Sequence, residues 1–310
     1  MEECKKGERV LISFDYALKR LLRNKANFEV LEGFLSELLM RDISVKAIGE
    51  SESNKEDSVD KSNRVDILVE AESGEIMLIE LQFRFEIDYL HRMLYGTSKT
   101  ITERMVQGSE YVEVKKVYSI NIVYFDLGQG KDYVYHGRTH FTGLHRKDEL
   151  HLSMAQRKTF GRKMAGDIYP EYYILKVNNF NDVAKDTLDE WIYFLKHNVI
   201  KDEFKAKGLK KARKALDRDN LTPEERKAYD YMQEQRSRDL SAIASTKLEG
   251  RIEGEIIGRE EGRIEREKLA KELEEREKEL EREREEREKL AKETEILLAE
   301  IARLKTEIKN

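Results

Sequence analysis

The chain has 310 residues, 39% hydrophobic and 39% charged, with a formal net charge of −5 at pH 7, enough for one well-filled core plus an extension but low in apolar content for a wholly globular protein. One cysteine, Cys4, permits no intramolecular disulfide and points to a reducing compartment, and no run approaches the roughly twenty apolar residues that span a bilayer, so a cytoplasmic protein with no membrane segment is expected. The charge is uneven: residues 249–310 hold 21 of the 63 acidic and 16 of the 58 basic residues, leaving 42 of each sign in residues 1–248. A neutral body gives no general support for nucleic-acid binding, although phosphate contacts need only a local basic surface.

In chain order, Ser13 is placed to cap a first helix with Phe14, Leu18, Leu21 and Leu22 on its apolar face. A second helix carries Phe28, Leu31, Leu35 and Leu38, with Glu37 beside the stripe. Residues 50–63 are polar and read as a mobile loop. Two short apolar runs follow, Arg64-Val-Asp-Ile-Leu-Val-Glu70 and Ile76-Met-Leu-Ile-Glu-Leu-Gln82, each with a carboxylate inside it. A carboxylate in a Val/Ile/Leu strand costs several kcal/mol unless it finds water, a partner or a metal ion. A two-residue turn would set Asp66 and Glu80 on opposite faces, whereas a three-residue turn over Glu72-Ser73-Gly74 sets them directly across from each other. The common three-residue turn ends at positive φ, where glycine is least costly, and Gly74 occupies that place. Strand alternation then puts Gln82 on the face of Glu80. Such a group suits a hard divalent cation such as Mg²⁺. On spacing alone, acids at a solvated sheet end paired with Arg64 or Arg84 explain the pattern equally well.

Beyond Gln82, the residues Ile87, Leu90, Leu94, Ile101 and Met105 keep helical spacing, so that face is expected to pack on the sheet. Residues 117–125 and 133–141 read as strands joined across 126–132. His136, His140, His145 and His151 crowd one stretch, but without a cysteine pair or two histidines on one helix face they do not read as a zinc site. The stretch from Lys201 to Arg218 is basic, and Lys205, Lys207, Lys210, Lys211, Arg213 and Lys214 are its candidate contacts to a DNA backbone, with a solvated helix face as the plain alternative. Thr222-Pro223-Glu224-Glu225 reads as a capped helix start, with Tyr229 and Met232 on the apolar side. Gly250, Gly254, Gly258 and Gly262 recur every four residues along one helical stripe, either for close helix approach or as a weak hinge. Heptads over 265–310 place Leu273, Leu280, Ile301 and Ile308 at one seam position and Leu269, Leu290, Leu297 and Leu304 at the other, with charges at the seam between Arg276 and Arg287. The expectation is a coiled coil through residues 265–310 that makes a homodimer.

The two acidic runs, together with Asp88-Tyr-Leu-His-Arg92-Met-Leu-Tyr95, Gln107-Gly108-Ser-Glu-Tyr111, residues 117–123, Leu188-Asp-Glu-Trp191 and Phe194-Leu-Lys196, resemble the PD-(D/E)XK nuclease superfamily, and within it the branch of recombination-promoting nucleases and transposases. The resemblance covers roughly residues 12 to 200. It implies an α/β (α+β) fold, a restriction-endonuclease-like mixed sheet flanked by helices and followed here by a long C-terminal helix or coiled coil. It implies a metal-dependent DNA endonuclease in which Asp66 and Glu80 hold Mg²⁺ (or Mn²⁺ or Ca²⁺) that activates water against a phosphodiester, in DNA recombination or mobile-element and phage biology. The third position of the superfamily is usually lysine and is Gln82 here. A neutral amide orients water or exchanges hydrogen bonds but lends no positive charge, so Arg84 is a candidate for that charge and Glu37 for the extra acid that an early helix often contributes. Glu-Gly-Arg repeats like those of the tail often trail the nuclease domain of this family. The expected domains are 1–200 nuclease-like, 201–248 basic and helical, and 249–310 glycine repeat and coiled coil. A catalytically silent nuclease fold, serving DNA binding or coiled-coil assembly, is the alternative function.

Overall fold

A computed structural model of the chain describes residues 11–14, 16, 28–50, 64–105 and 110–307, of which positions 50, 64–66, 219, 300 and 302–307 are described by their backbone. Leu18, Leu21 and Leu22 of the first expected helix, the polar loop, Gln107, Gly108 and Ile308 lie outside the described residues. The strands are β1 (Val45–Glu50), β2 (Arg64–Ala71), β3 (Ile76–Gln82), β4 (Val117–Val123), β5 (Val134–Gly137) and β6 (Glu171–Lys176). The helices are α1 (Phe28–Leu39), α2 (Tyr89–Glu103), α3 (Met154–Phe160), α4 (Thr187–His197), α5 (Leu209–Ala215) and α6 (Pro223–Glu307).

The strands form one six-stranded sheet in the order β1-β2-β3-β4-β6-β5. Every residue of β3 and β4 is buried, as expected of near-continuous apolar runs covered on both faces. β3 pairs with β4, and β4 with β6, in parallel, while the β1/β2, β2/β3 and β5/β6 pairs are antiparallel. A parallel neighbour requires a crossover, and α2 supplies the one between β3 and β4. The fold is thus the mixed sheet with flanking helices and a long C-terminal helix that the sequence predicts.

The main core joins one face of the sheet, through Met77, Ile79, Leu81, Ile120, Ile122 and Leu175, to Phe34, Trp191, Phe194 and Leu209 of α1, α4 and α5. Phe14, Phe34, Trp191 and Phe194 meet edge to face with centroids 5.6–6.1 Å apart, the arrangement aromatic quadrupoles favour. The start of α6 belongs to this body: Thr222 and Glu225 form a reciprocal capping box with bonds of 2.9 and 3.2 Å, Tyr229 is buried, and Gln233 donates to the hydroxyl of Ser13.

The opposite face of the sheet lies under α2, and here the expected packing is inverted. Ile87, Leu90 and Leu94 are 89%, 53% and 56% exposed, whereas Tyr89, Met93, Thr97 and Thr100 are buried; of the predicted stripe, Ile101 packs against Leu68, Ile76, Leu78 and Val117. Helical periodicity assumes an apolar surface beneath the helix. The sheet here also presents Glu80, Gln82 and Asn121, so the helix turns hydroxyl-bearing and small residues inward. The threonines meet their own hydrogen-bonding needs by donating to the carbonyls of Met93 and Gly96.

At the far end of β3, Glu75 is buried and accepts from Arg41 at 2.5 Å, Arg162 at 2.6 Å and Ser73 at 3.0 Å. Burial by itself raises its pKa, but the two guanidinium groups outweigh that and bring the carboxyl below its ordinary value. Beside it, Glu171 takes Lys116 at 2.9 Å and His136 at 2.7 Å. These ionic groups bind the loops of residues 138–170 to the ends of the central strands.

The chain divides into two compact units, Met1–Arg236 and Ser237–Asn310. The described residues of the second are helix, with Ile252, Ile256, Leu269, Leu273, Leu280, Leu290 and Leu297 about half to two-thirds exposed. Its surface is laced by i,i+4 pairs such as Arg251–Glu255, Arg263–Glu267 and Glu274–Lys278, worth a few tenths of a kcal/mol each. A Cβ added at Gly250, Gly254 or Gly258 would meet nothing within 4 Å among the described residues, so packing within this helix does not require those glycines. No helix among the described residues is long and apolar enough to cross a membrane.

Candidate active site

The β2–β3 turn sets the register. Ala71 N–H donates to the Glu75 carbonyl at 3.0 Å, Gly74 N–H to the Ala71 carbonyl at 2.8 Å, and Gly74 has φ +80°. Glu72-Ser73-Gly74 is therefore the three-residue loop expected from the glycine. It pairs Asp66 with Glu80 and Arg64 with Gln82, and the parallel ladder on the other side pairs Glu80 with Asn121. Directly opposed positions share a face, so positions 66, 80 and 121 form a row across three strands, with Gln82 two residues further along the same face.

Glu80 is 6% exposed and Gln82 2%, which removes the solvated sheet end as an explanation for them. The Tyr89 hydroxyl, itself fully buried, stands 3.3 Å from Glu80 Oε2 and 3.2 Å from Asn121 Oδ1. It has one proton to share between these two acceptors. The Asn121 amide donates to Ser119 Oγ at 3.0 Å and the Tyr173 carbonyl at 3.3 Å, which turns its oxygen toward Tyr89. Gly96 of α2 lies above Glu80: a Cβ there would be 3.5 Å from Oε1.

Gln82 is held by its nitrogen. Nε2 donates to Glu86 Oε1 at 2.7 Å and to the Arg84 carbonyl at 3.3 Å. Glu86 in turn receives Arg92 Nη1 at 2.9 and 2.8 Å on its two oxygens. Gln82 Oε1 is buried with no hydrogen-bond partner among the described residues, and an acceptor left so costs about 1–3 kcal/mol. Such an oxygen can accept from a donor or face a cation.

The other candidate residues stand elsewhere. Glu37, on α1, belongs to the opposite side of the sheet; it accepts from Thr187 Oγ1 at 2.6 Å and Lys207 N–H at 2.9 Å, tying α4 to the approach to α5. β3 ends at Gln82, so Arg84 does not continue its alternation. Lys207 pairs with Asp42 at 2.7 Å, Lys211 with Glu29 and Arg213 with Asp202 at 2.5 Å, while Lys205, Lys210 and Lys214 are exposed. Among the described residues no group of three or more His, Cys, Asp or Glu side chains is arranged to hold a metal ion. Tyr89, Asn121, Glu86 and Arg92 were not singled out from the sequence; an Asn inside an apolar strand was the available signal.

A mixed sheet with an acidic residue on each of two hairpin strands, directly opposed, and a buried amide two places on is the framework of a PD-(D/E)XK-type fold. The family model described as PD-(D/E)XK nuclease family transposase matches residues 12–246, and the chain belongs to that family. Comparison with curated proteins and with solved structures returned no match.

Proposed function

We propose that this protein is a metal-dependent DNA endonuclease acting in recombination or mobile-element biology. The observation that supports this most is the register that opposes Asp66 and Glu80 beside a Gln82 oxygen with no partner among the described residues. Two carboxylates with an amide oxygen beside them offer only oxygen, which fits a hard divalent cation such as Mg²⁺ or Mn²⁺ and its water. Asp66 and Glu80 would hold the ion, and Gln82 Oε1 would accept from, and so orient, a water beside it. Such an ion, when bound, polarises a phosphate oxygen and acidifies a water.

Tyr89 holds Glu80 in place without adding charge. Glutamine in the third position supplies no ammonium group there, so neutralisation of the developing charge would fall to the ion and to other cations. Exposed Lys205, Lys210 and Lys214 suit contacts to the DNA backbone, which need charge rather than shape. Self-association through residues 265–310 would bring two such sites together, one for each strand of a duplex.

Supercoiled plasmid incubated with the full chain tests this reading. Nicking or linearisation with Mg²⁺ or Mn²⁺, abolished by EDTA and by Asp66→Ala and Glu80→Ala in folded protein, is the expected result. Wild-type protein without metal-dependent cleavage, or variants as active as wild type, would overturn it.

A further inference from the structure

We infer that Glu86, braced by Arg92, is a positioning residue that keeps the oxygen rather than the nitrogen of Gln82 available to the site. The inference rests on the metal-site reading above and goes beyond it.

An amide presents an acceptor at one end and donors at the other, and a half-turn exchanges them. The two groups around Gln82 Nε2 are the Glu86 carboxylate and the Arg84 carbonyl. Both are acceptors only, so chemistry alone assigns the nitrogen to that side. The flipped amide would set oxygen against oxygen at 2.7 Å. Arg92 bonds to both oxygens of Glu86 and holds that carboxylate in its place, with the pair only 17% and 23% exposed. The consequence is a buried Oε1 with no hydrogen-bond partner among the described residues, on the sheet face of Glu80. Without Glu86 the amide is free to turn its donors toward the carboxylates, which would satisfy them internally and compete with a cation.

A carboxylate at position 82 has oxygen at both ends and needs no such orientation. This makes a test with a distinctive sign. Mn²⁺ binding is measured on the full-length chain by calorimetric titration with the metal alone, and thermal melting confirms folding of each variant. Glu86→Ala is expected to weaken Mn²⁺ binding by about tenfold, the usual range for a hydrogen bond one step behind a metal and its water. Glu86→Gln, which keeps an acceptor oxygen for the amide, should recover most of the affinity. Gln82→Glu alone should bind poorly because it faces Glu86, yet Gln82→Glu combined with Glu86→Ala should bind within about threefold of wild type. A purely structural role for Glu86 predicts no such rescue.

Wild type that binds Mn²⁺, with Glu86→Ala binding equally well, overturns the positioning role and leaves the metal site standing. So does a double variant no better than Glu86→Ala. Wild type that binds no Mn²⁺ overturns the metal-site reading and this assignment with it.

Discussion

Gly96→Ala separates stability from activity. The added Cβ would stand 3.5 Å from Glu80 Oε1 and 3.7 Å from Leu78 Cδ2, both ordinary contacts, so nothing has to move. Alanine is better than glycine in a helix interior by up to about 1 kcal/mol, and the methyl covers part of Leu78, adding a few tenths at about 25 cal/mol per Å². The expected gain is about 0.5–1.5 kcal/mol, read as a shift in the urea midpoint at unchanged slope. The same methyl fills space beside the carboxylate proposed to hold the ion. Mn²⁺ affinity and plasmid nicking should therefore fall, by about tenfold. A variant less stable than wild type would refute the packing of α2 on β3. One that is more stable and equally active would refute the idea that the glycine keeps Glu80 accessible.

Met93 is 4% exposed and its neighbour Leu94 56%, so Met93→Ala should cost about 2–4 kcal/mol and Leu94→Ala less than about 0.5 kcal/mol in urea denaturation; the opposite order would restore the amphipathic packing that periodicity predicts. Because the Glu75 carboxyl titrates below its ordinary value when folded, its contribution is full above that value and is lost as pH falls through the depressed one. Glu75→Gln should lower Tm at neutral pH and flatten its decline in acid, and parallel pH profiles for variant and wild type would count against this. Light scattering at tens of micromolar should find the full chain dimeric and residues 1–248 monomeric and folded, with the apolar seam contributing several kcal/mol at about 25 cal/mol per Å²; a monomeric full chain would leave the tail as a solitary charged helix or an arm for another partner.

Local rules were enough for the features in which neighbours along the chain decide the outcome. Gly74 selects a three-residue turn because positive φ costs it nothing, and with that turn the opposition of Asp66 and Glu80 follows. Thr222, Pro223 and Glu225 mark the start of α6 through hydrogen bonds made within one turn. That positions 66, 80 and 82 share a face was legible for the same reason, since alternation along a strand is a property of the backbone. What surrounds them was decided only by tertiary contact. The inward side of α2 follows not from its own apolar period but from the polar side chains on the sheet beneath it, which lie on β3 and β4 and meet the helix only after the crossover has formed. Tyr89 reaches Asn121, thirty-two residues away in sequence, and Glu75 gathers Arg41 and Arg162 from thirty-four and eighty-seven residues away. A carboxylate in a sequence shows that a charge must be met; which distant residue meets it depends on the close packing of the folded chain, where burial makes an unmet charge costly and leaves few positions able to answer it.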